Sequence, residues 1–194
     1  KIKNFLMLAL PLILALPVMI IIEPYRLKRL TAFINPWENP QGEGYQLIQS
    51  YYALGSGGWF GVGIGNSRQK YLFLPFSESD FILSIIGEET GLFGCLIIIL
   101  LFSVFIYCGI KIAVSARTRF YCYLSAGLTL VVAVQAIINI AVVSGAIPPT
   151  GLPLPFVSAG GSSLVAFLLA SGLLVQIYRD SNSVHKKNTG YHNI

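Results

Sequence analysis

Aspartate stands at only two positions of this chain, 80 and 180, and histidine at only two, 185 and 192. Both histidines fall in the polar stretch that closes the sequence. That excludes a histidine triad or a histidine metal site among the apolar segments. Cys95, Cys108 and Cys122 lie in apolar runs, odd in number and without metal-ligand spacing. They exclude a disulfide framework and read as small buried hydrophobes. Charge is scarce, at 11% of residues against 55% hydrophobic, which excludes an ordinary soluble domain. Internal repeats, low-complexity tracts, the GxxxxGK[ST] phosphate loop and the spaced GxGxxG fingerprint are also missing. No small-residue cleavage site follows the first apolar stretch, so it reads as a span and not a signal peptide.

What is present is membrane-length apolarity. Four stretches, 5–22, 81–110, 120–147 and 162–178, approach or exceed the ~20 residues that cross a bilayer. The expected fold class is therefore an all-α polytopic membrane protein. The chain begins with Lys1 and not Met, so a piece of a longer protein is expected. The net charge of +5 is not a nucleic-acid signature once sorted by loop. Lys1, Lys3, Lys111, Arg117, Arg119, Arg179, Lys186 and Lys187 face only Asp180, whereas the cations and acids of 23–80 balance. The positive-inside rule then places both termini and the 111–119 loop in the cytoplasm. It places 23–79 and 148–161 outside. The tail 179–194 is read as cytoplasmic, and its part after Asp180 is expected to be disordered.

Two segments cannot be plain lipid-facing helix. In the first, Ser77-Glu78-Ser79-Asp80 runs into Gly87-Glu88-Glu89-Thr90-Gly91, placing carboxylates at the mouth of an apolar segment and then within it. Each costs about 2.5–3.5 kcal/mol at a helix centre, so function is the default reading. In the second, 151–163, glycine and proline break the backbone, which survives at membrane depth only in protein or beside a wet cavity. Between the first two spans, Pro36 and Pro40 punctuate the loop. Tyr45, Leu47, Ile48, Tyr51, Tyr52 and Leu54 recur near helical spacing, as in an interfacial helix. The glycine run 55–65 reads as a loop for close backbone packing; a backbone nest for a pyrophosphate is the alternative.

Asp80 is the sharpest candidate. Ser77 or Ser79 is placed to cap a helix starting near Phe81, and Asp80 suits that helix's dipole. It is also placed to act as a general base on a hydroxyl or as a ligand to a divalent ion, Mg²⁺ or Mn²⁺. On a straight helix Glu88 lies about 80° and Glu89 about 180° from Asp80. Both are therefore expected to pair with polar groups of neighbouring helices. Gln135 and Asn139, four residues apart, are expected to hydrogen-bond between helices. Arg26, Lys28 and Arg29 suit lipid headgroups or a substrate pyrophosphate.

Several motifs recur in fixed order: Arg29-Leu30-Thr31-Ala32-Phe33-Ile34-Asn35-Pro36-Trp37-Glu38, Gly44 to Ser50, Ala53 to Ser67, Gln69-Lys70, Leu74-Pro75, Asp80-Phe81-Ile82, Gly87 to Leu92, and Gly151 to Ser158 with Gly160-Gly161-Ser162-Ser163. Together they resemble the C-terminal part of the SEDS family (shape, elongation, division and sporulation). The Asn35-Pro36-Trp37-Glu38 and Asn66-Ser67-Arg68-Gln69-Lys70 pieces are more similar to the division branch, FtsW, or its sporulation relative than to RodA. The likeness covers nearly all of 1–180.

The resemblance implies a fold of about ten helices, of which this chain supplies roughly four, in the bacterial inner membrane. It implies a peptidoglycan glycosyltransferase that polymerises lipid II for septal wall synthesis, with no organic cofactor. Its partners would be lipid II, undecaprenyl-pyrophosphate-linked glycan, a class B penicillin-binding protein and other division proteins. Asp80 matches the family's catalytic acid, and Arg29, Lys70, Ser158 and Ser162 fall where substrate contacts are expected. Two positions depart from the pattern. Glu78-Ser79 replaces the usual His-Thr before Asp80, and Ala159 replaces an aromatic. A flippase for the lipid-linked precursor and a scaffold for a transpeptidase are the alternative functions. The 194-residue chain alone is expected to be inactive.

Overall fold

A computed structural model describes residues 7, 10–11, 24–42, 44–69 and 80–190. The first apolar stretch, with Pro11 and Pro17, lies almost wholly outside the described residues. The rest is helical, with no strand among the described residues. Helix α1 covers Pro24–Ile34, a 3₁₀ turn Pro36–Glu38, and α2 Tyr45–Gly57. Three long helices follow: α3 (Ile82–Val114), α4 (Arg119–Val143) and α5 (Gly161–Gly190). Three segments are long and apolar enough to cross a membrane: Ile82–Val114, Arg119–Val143 and Gly161–Asn182. The chain is thus part of a multi-pass membrane protein. Helix α5 continues past Asp180 to Gly190, where the sequence predicts disorder.

Proline and small residues set the boundaries. Helix α1 ends two residues before Pro36, which opens the 3₁₀ turn at its first position. Thr118 caps α4 by accepting the Tyr121 amide at 3.2 Å. Helices α3 and α4 approach closely at Gly109, where a Cβ would come 2.2 Å from the Thr129 hydroxyl. Phe81, Leu83, Ile85, Phe102, Val132, Ala136, Val142, Val143, Leu154 and Phe167 form one buried apolar cluster. It joins α3, α4, α5 and the 144–160 connection.

Helix α3 is discontinuous. Gly91 adopts φ 70°, ψ −167°, a region that only glycine occupies comfortably. The break frees two donors and two acceptors of the helical ladder, and the glycine loop takes up all four. Leu92 N donates to Gly58 O at 2.9 Å and Phe93 N to Trp59 O at 3.2 Å. In return Val62 N donates to Glu88 O at 2.9 Å and Gly63 N to Glu89 O at 3.0 Å. Irregular backbone at this depth is thus paired with other backbone, as an apolar medium demands.

The break also sets the height of Asp80. A straight helix from Val114 back to Asp80 would be about 50 Å long at 1.5 Å per residue. Yet Asp80 is tied to Asn139, only about 30 Å along α4 from Arg119 on the same rise. Helix α3 therefore turns at Gly91, and its Ile82–Thr90 arm crosses the end of the bundle. Glu88 and Glu89 sit at that end, just before the break, so the angles of a straight helix do not carry past them.

Helix α2 is packed against this arm. Its Gly57 is so close to Gly87 that a Cβ would fall 1.9 Å from the Gly87 carbonyl oxygen. Ser50 and Ser84 hydroxyls bond at 2.6 Å, and Ser50 also donates to Val143 O at 3.4 Å. The Tyr51 hydroxyl lies against Gly145, and burial pushes its pKa above the usual tyrosine value.

Candidate active-site cleft at the loop end of the bundle

A cleft of about 1010 Å³ opens between α1, the 3₁₀ turn, the start of α2 and the head of α3. Its lining includes Lys28, Arg29, Glu38, Asp80 and Pro149. One carboxylate at a helix mouth therefore shares a cavity with two cations. Asp80 lies in the turn just before α3, outside its first turn. The N-cap position belongs to Phe81, and no side chain caps it. Ser77 and Ser79, expected to cap this helix, lie outside the described residues. The Ser84 amide closes on Phe81 O at 3.0 Å.

The wall beside Asp80 is the Gly/Pro segment. Gly151, at φ 72°, lies against the carboxylate; a Cβ there would sit 3.7 Å from Asp80 Oδ2. This segment has no ladder of its own, so side chains take its carbonyls. Arg29 Nη1 donates to Pro149 O at 3.4 Å, Asn139 Nδ2 to Leu152 O at 2.9 Å, and Gln135 Nε2 to Pro153 O at 2.9 Å. Asn139 Nδ2 also donates to Asp80 O at 2.9 Å. Gln135 and Asn139 thus bond to loop carbonyls and to Asp80, not to the neighbouring helix as the sequence predicts. Unpaired carbonyls in a buried loop are the stronger demand.

The segment then dips into the bundle. The Phe156 ring centroid lies 5.6 Å from those of Phe105 on α3 and Phe167 on α5. Phe156 is the one non-glycine residue with positive φ among those described, at 64°. Packing of its ring on both sides and the closure of the turn hold it there. Leu154 N donates to the Ser158 hydroxyl at 2.7 Å, and Ser158 N donates back to Leu154 O at 3.0 Å.

The other sequence candidates separate. Arg29 lines the cleft with Asp80, as Lys28 does. Lys70 and Glu78 lie outside the described residues. Ser158 is buried in its own turn and Ser162 is exposed at the start of α5; neither is among the cleft-lining residues. Glu88 is 2% exposed and accepts three bonds, from the Ser67 hydroxyl at 2.5 Å and from the Arg68 and Gln69 amides at 3.1 and 3.4 Å. Ser67 precedes, and Arg68 and Gln69 open, the helical residues that follow the glycine loop, so Glu88 pairs with polar groups at the start of another helix, as the sequence predicts. Glu89 is half-buried. Sequence reasoning did not single out Glu38 or the Asn139–Asp80 bond. The Gln135/Asn139 spacing was the one signal available.

Among the described residues no group of three or more His, Cys, Asp or Glu side chains comes together to hold a metal. The cleft's carboxylates are Asp80 and Glu38. Carboxylate oxygen is the donor type that a hard divalent cation takes.

This geometry defines a helical membrane protein with a polar cleft at one end of the bundle, built on a discontinuous helix and a re-entrant Gly/Pro segment. The FtsW/RodA/SpoVE family, described as cell cycle protein, matches residues 1–183, and the chain belongs to it. Stage V sporulation protein E of Bacillus subtilis (strain 168) is 46% identical over 181 residues, covering 93% of this chain and 50% of that protein. The probable peptidoglycan glycosyltransferase FtsW of Trichlorobacter lovleyi is 45% identical over 171 residues, covering 88% and 44%. A solved structure described as structural coordination of polymerization and crosslinking by a peptidoglycan synthase complex aligns with a TM-score of 0.68 and 28% identity. It covers 92% of this chain and 49% of that one. The chain spans about half the length of these relatives.

Proposed function

We propose that the whole protein is a peptidoglycan glycosyltransferase that polymerises lipid II in the bacterial inner membrane. The observation that carries this reading is the shared cleft of Asp80, Lys28 and Arg29 in a chain of this family. Both termini of this chain are cytoplasmic and the cleft faces outward, a reading supported by the balance of cations among the loops. A transpeptidase of the class B penicillin-binding type is the proposed partner, which supplies crosslinking to the nascent strands.

In the proposed reaction the Asp80 carboxylate accepts the proton of the acceptor sugar hydroxyl. That oxygen bonds to the anomeric carbon of the lipid-linked donor as the bond to pyrophosphate breaks. Charge grows on the leaving pyrophosphate, and Lys28 and Arg29 are the cations of the cleft that meet it. In the alternative role, Asp80 would help hold a divalent cation, with Glu38 as the cleft's other carboxylate, and the cation would supply positive charge against the pyrophosphate. The Asn139 and Gln135 bonds keep the wall beside Asp80 in one arrangement, which general-base catalysis needs.

The test is Asp80→Asn in the whole protein. Lipid II polymerisation should vanish while membrane assembly and partner binding persist. Polymer from that variant would remove Asp80 from the mechanism.

A further inference from the structure

Asn139 is 1% exposed; its amide nitrogen donates to two backbone carbonyls from different parts of the chain, while its Oδ1 is buried without a hydrogen-bond partner. Nδ2 donates to Asp80 O and to Leu152 O, both at 2.9 Å. One planar amide group therefore joins three things: helix α4, the residue proposed as general base, and the Gly151–Leu152 backbone against its carboxylate. Gln135, one turn earlier on α4, makes a bond of the same kind and length, to Pro153 O, but it does not touch the Asp80 residue. Asn139 is the more buried and donates two bonds against one, and only its second bond reaches the Asp80 backbone, which separates holding the wall from holding the base.

We propose that Asn139 is a positioning residue: it fixes the backbone of Asp80 against the Gly151–Leu152 wall and so sets where the carboxylate meets the acceptor hydroxyl. The inference rests on the glycosyltransferase reading for its effect on rate, and on geometry alone for its effect on Asp80. Phe81, at the N-cap of α3, offers no side-chain cap, and the Asn139 bond ties the residue just before it to α4. The discontinuity at Gly91 separates the arm carrying Asp80 from the rest of α3. The position of the arm is then set by contacts across the bundle, and the Asn139 bond is one of them, made to the Asp80 backbone.

The experiment compares wild type, Asn139→Ala and Gln135→Ala in the full-length protein with its transpeptidase, using lipid II as substrate. Misplacement of a reacting group by an ångström costs about 100-fold in rate, so Asn139→Ala should lose ~10- to 100-fold in kcat with KM unchanged. Gln135→Ala should lose much less. Equal losses in the two variants, or a loss carried by KM, would overturn the proposal. So would wild-type activity in Asn139→Ala. Amide hydrogen exchange on the same proteins reads the geometry without the reaction. Asn139→Ala should speed exchange between Asp80 and Ser84 and between Gly151 and Leu154, leaving the Leu130–Ile140 amides protected. Faster exchange throughout α4 would mean general destabilisation and would overturn it. If wild type makes no polymer, the proposed function fails, and the exchange pattern alone decides the role of Asn139.

Discussion

Gly61 and Gly91 meet backbone to backbone: a Cβ on Gly91 would come 2.5 Å from the Gly61 nitrogen. Around this contact the loop and the broken helix exchange four hydrogen bonds. The two glycines are what permit the exchange, because no side chain fits between the two strands of backbone. A membrane-length helix thus acquires a turn at its loop end, and the turn brings Asp80 to the cleft.

Glycine replacement should therefore be graded by position. Gly91→Ala combines a glycine-only conformation with a backbone clash. Gly61→Ala places a Cβ 2.1 Å from Glu89 O. Strain alone costs about 1–3 kcal/mol, and displaced backbone bonds add to it. Gly65→Ala has positive φ but open space around it, so it should cost about 1–2 kcal/mol at most. Thermal melting of the full-length protein in detergent should rank Gly65→Ala well above the other two. Equal melting temperatures would refute the packed-backbone description.

Glu88 is predicted to be a structural acceptor and not a catalytic acid. Glu88→Leu strands the buried Ser67 hydroxyl and the Arg68 and Gln69 amides. Each unsatisfied buried group costs about 1–3 kcal/mol. Glu88→Gln keeps one amide oxygen to accept and should be the milder change. Proteolysis of the 58–69 loop, measured at matched protein, should accelerate strongly for leucine and weakly for glutamine. A stable Glu88→Leu protein with a lost reaction would move Glu88 into the chemistry.

Lys28 lines the cleft and is exposed, so its replacement is a clean probe of substrate charge. A hydrogen bond to a charged group contributes about 1.5–3 kcal/mol. Lys28→Ala should raise the KM for lipid II and lower kcat, together roughly tenfold or more in kcat/KM on that scale, and the difference should shrink at high salt. Arg29→Ala should do the same and also loosen Pro149, whose carbonyl it holds. An unchanged kcat/KM in Lys28→Ala would exclude this lysine from pyrophosphate binding.

Much of this was legible in the residues. Apolar length revealed the three described spans, and the isolation of Asp80 among few acids marked the site. The glycine run announced close backbone packing, which the structure shows between Gly58–Gly63 and α3. Less legible was anything that depends on the bend at Gly91. Helical-wheel angles place Glu88 relative to Asp80 on a straight axis, but the axis breaks at Gly91, just after it. Gln135 and Asn139 carried the right spacing for a shared face. Nothing local revealed that carbonyls of a re-entrant segment, and not another helix, would compete for their amides. Such partners are set by tertiary packing over separations of 59 and 13 residues, from Asn139 to Asp80 and to Leu152.

The most direct measurement is a glycan-ladder assay of the full-length protein reconstituted with its transpeptidase. Wild type and Asp80→Asn are compared on lipid II, with and without Mg²⁺ or Mn²⁺. Ladders from wild type and none from the variant, at equal folding and partner binding, are the expected result. No ladder from well-folded wild type under any condition would contradict the glycosyltransferase reading and leave transport or scaffolding to explain the cleft.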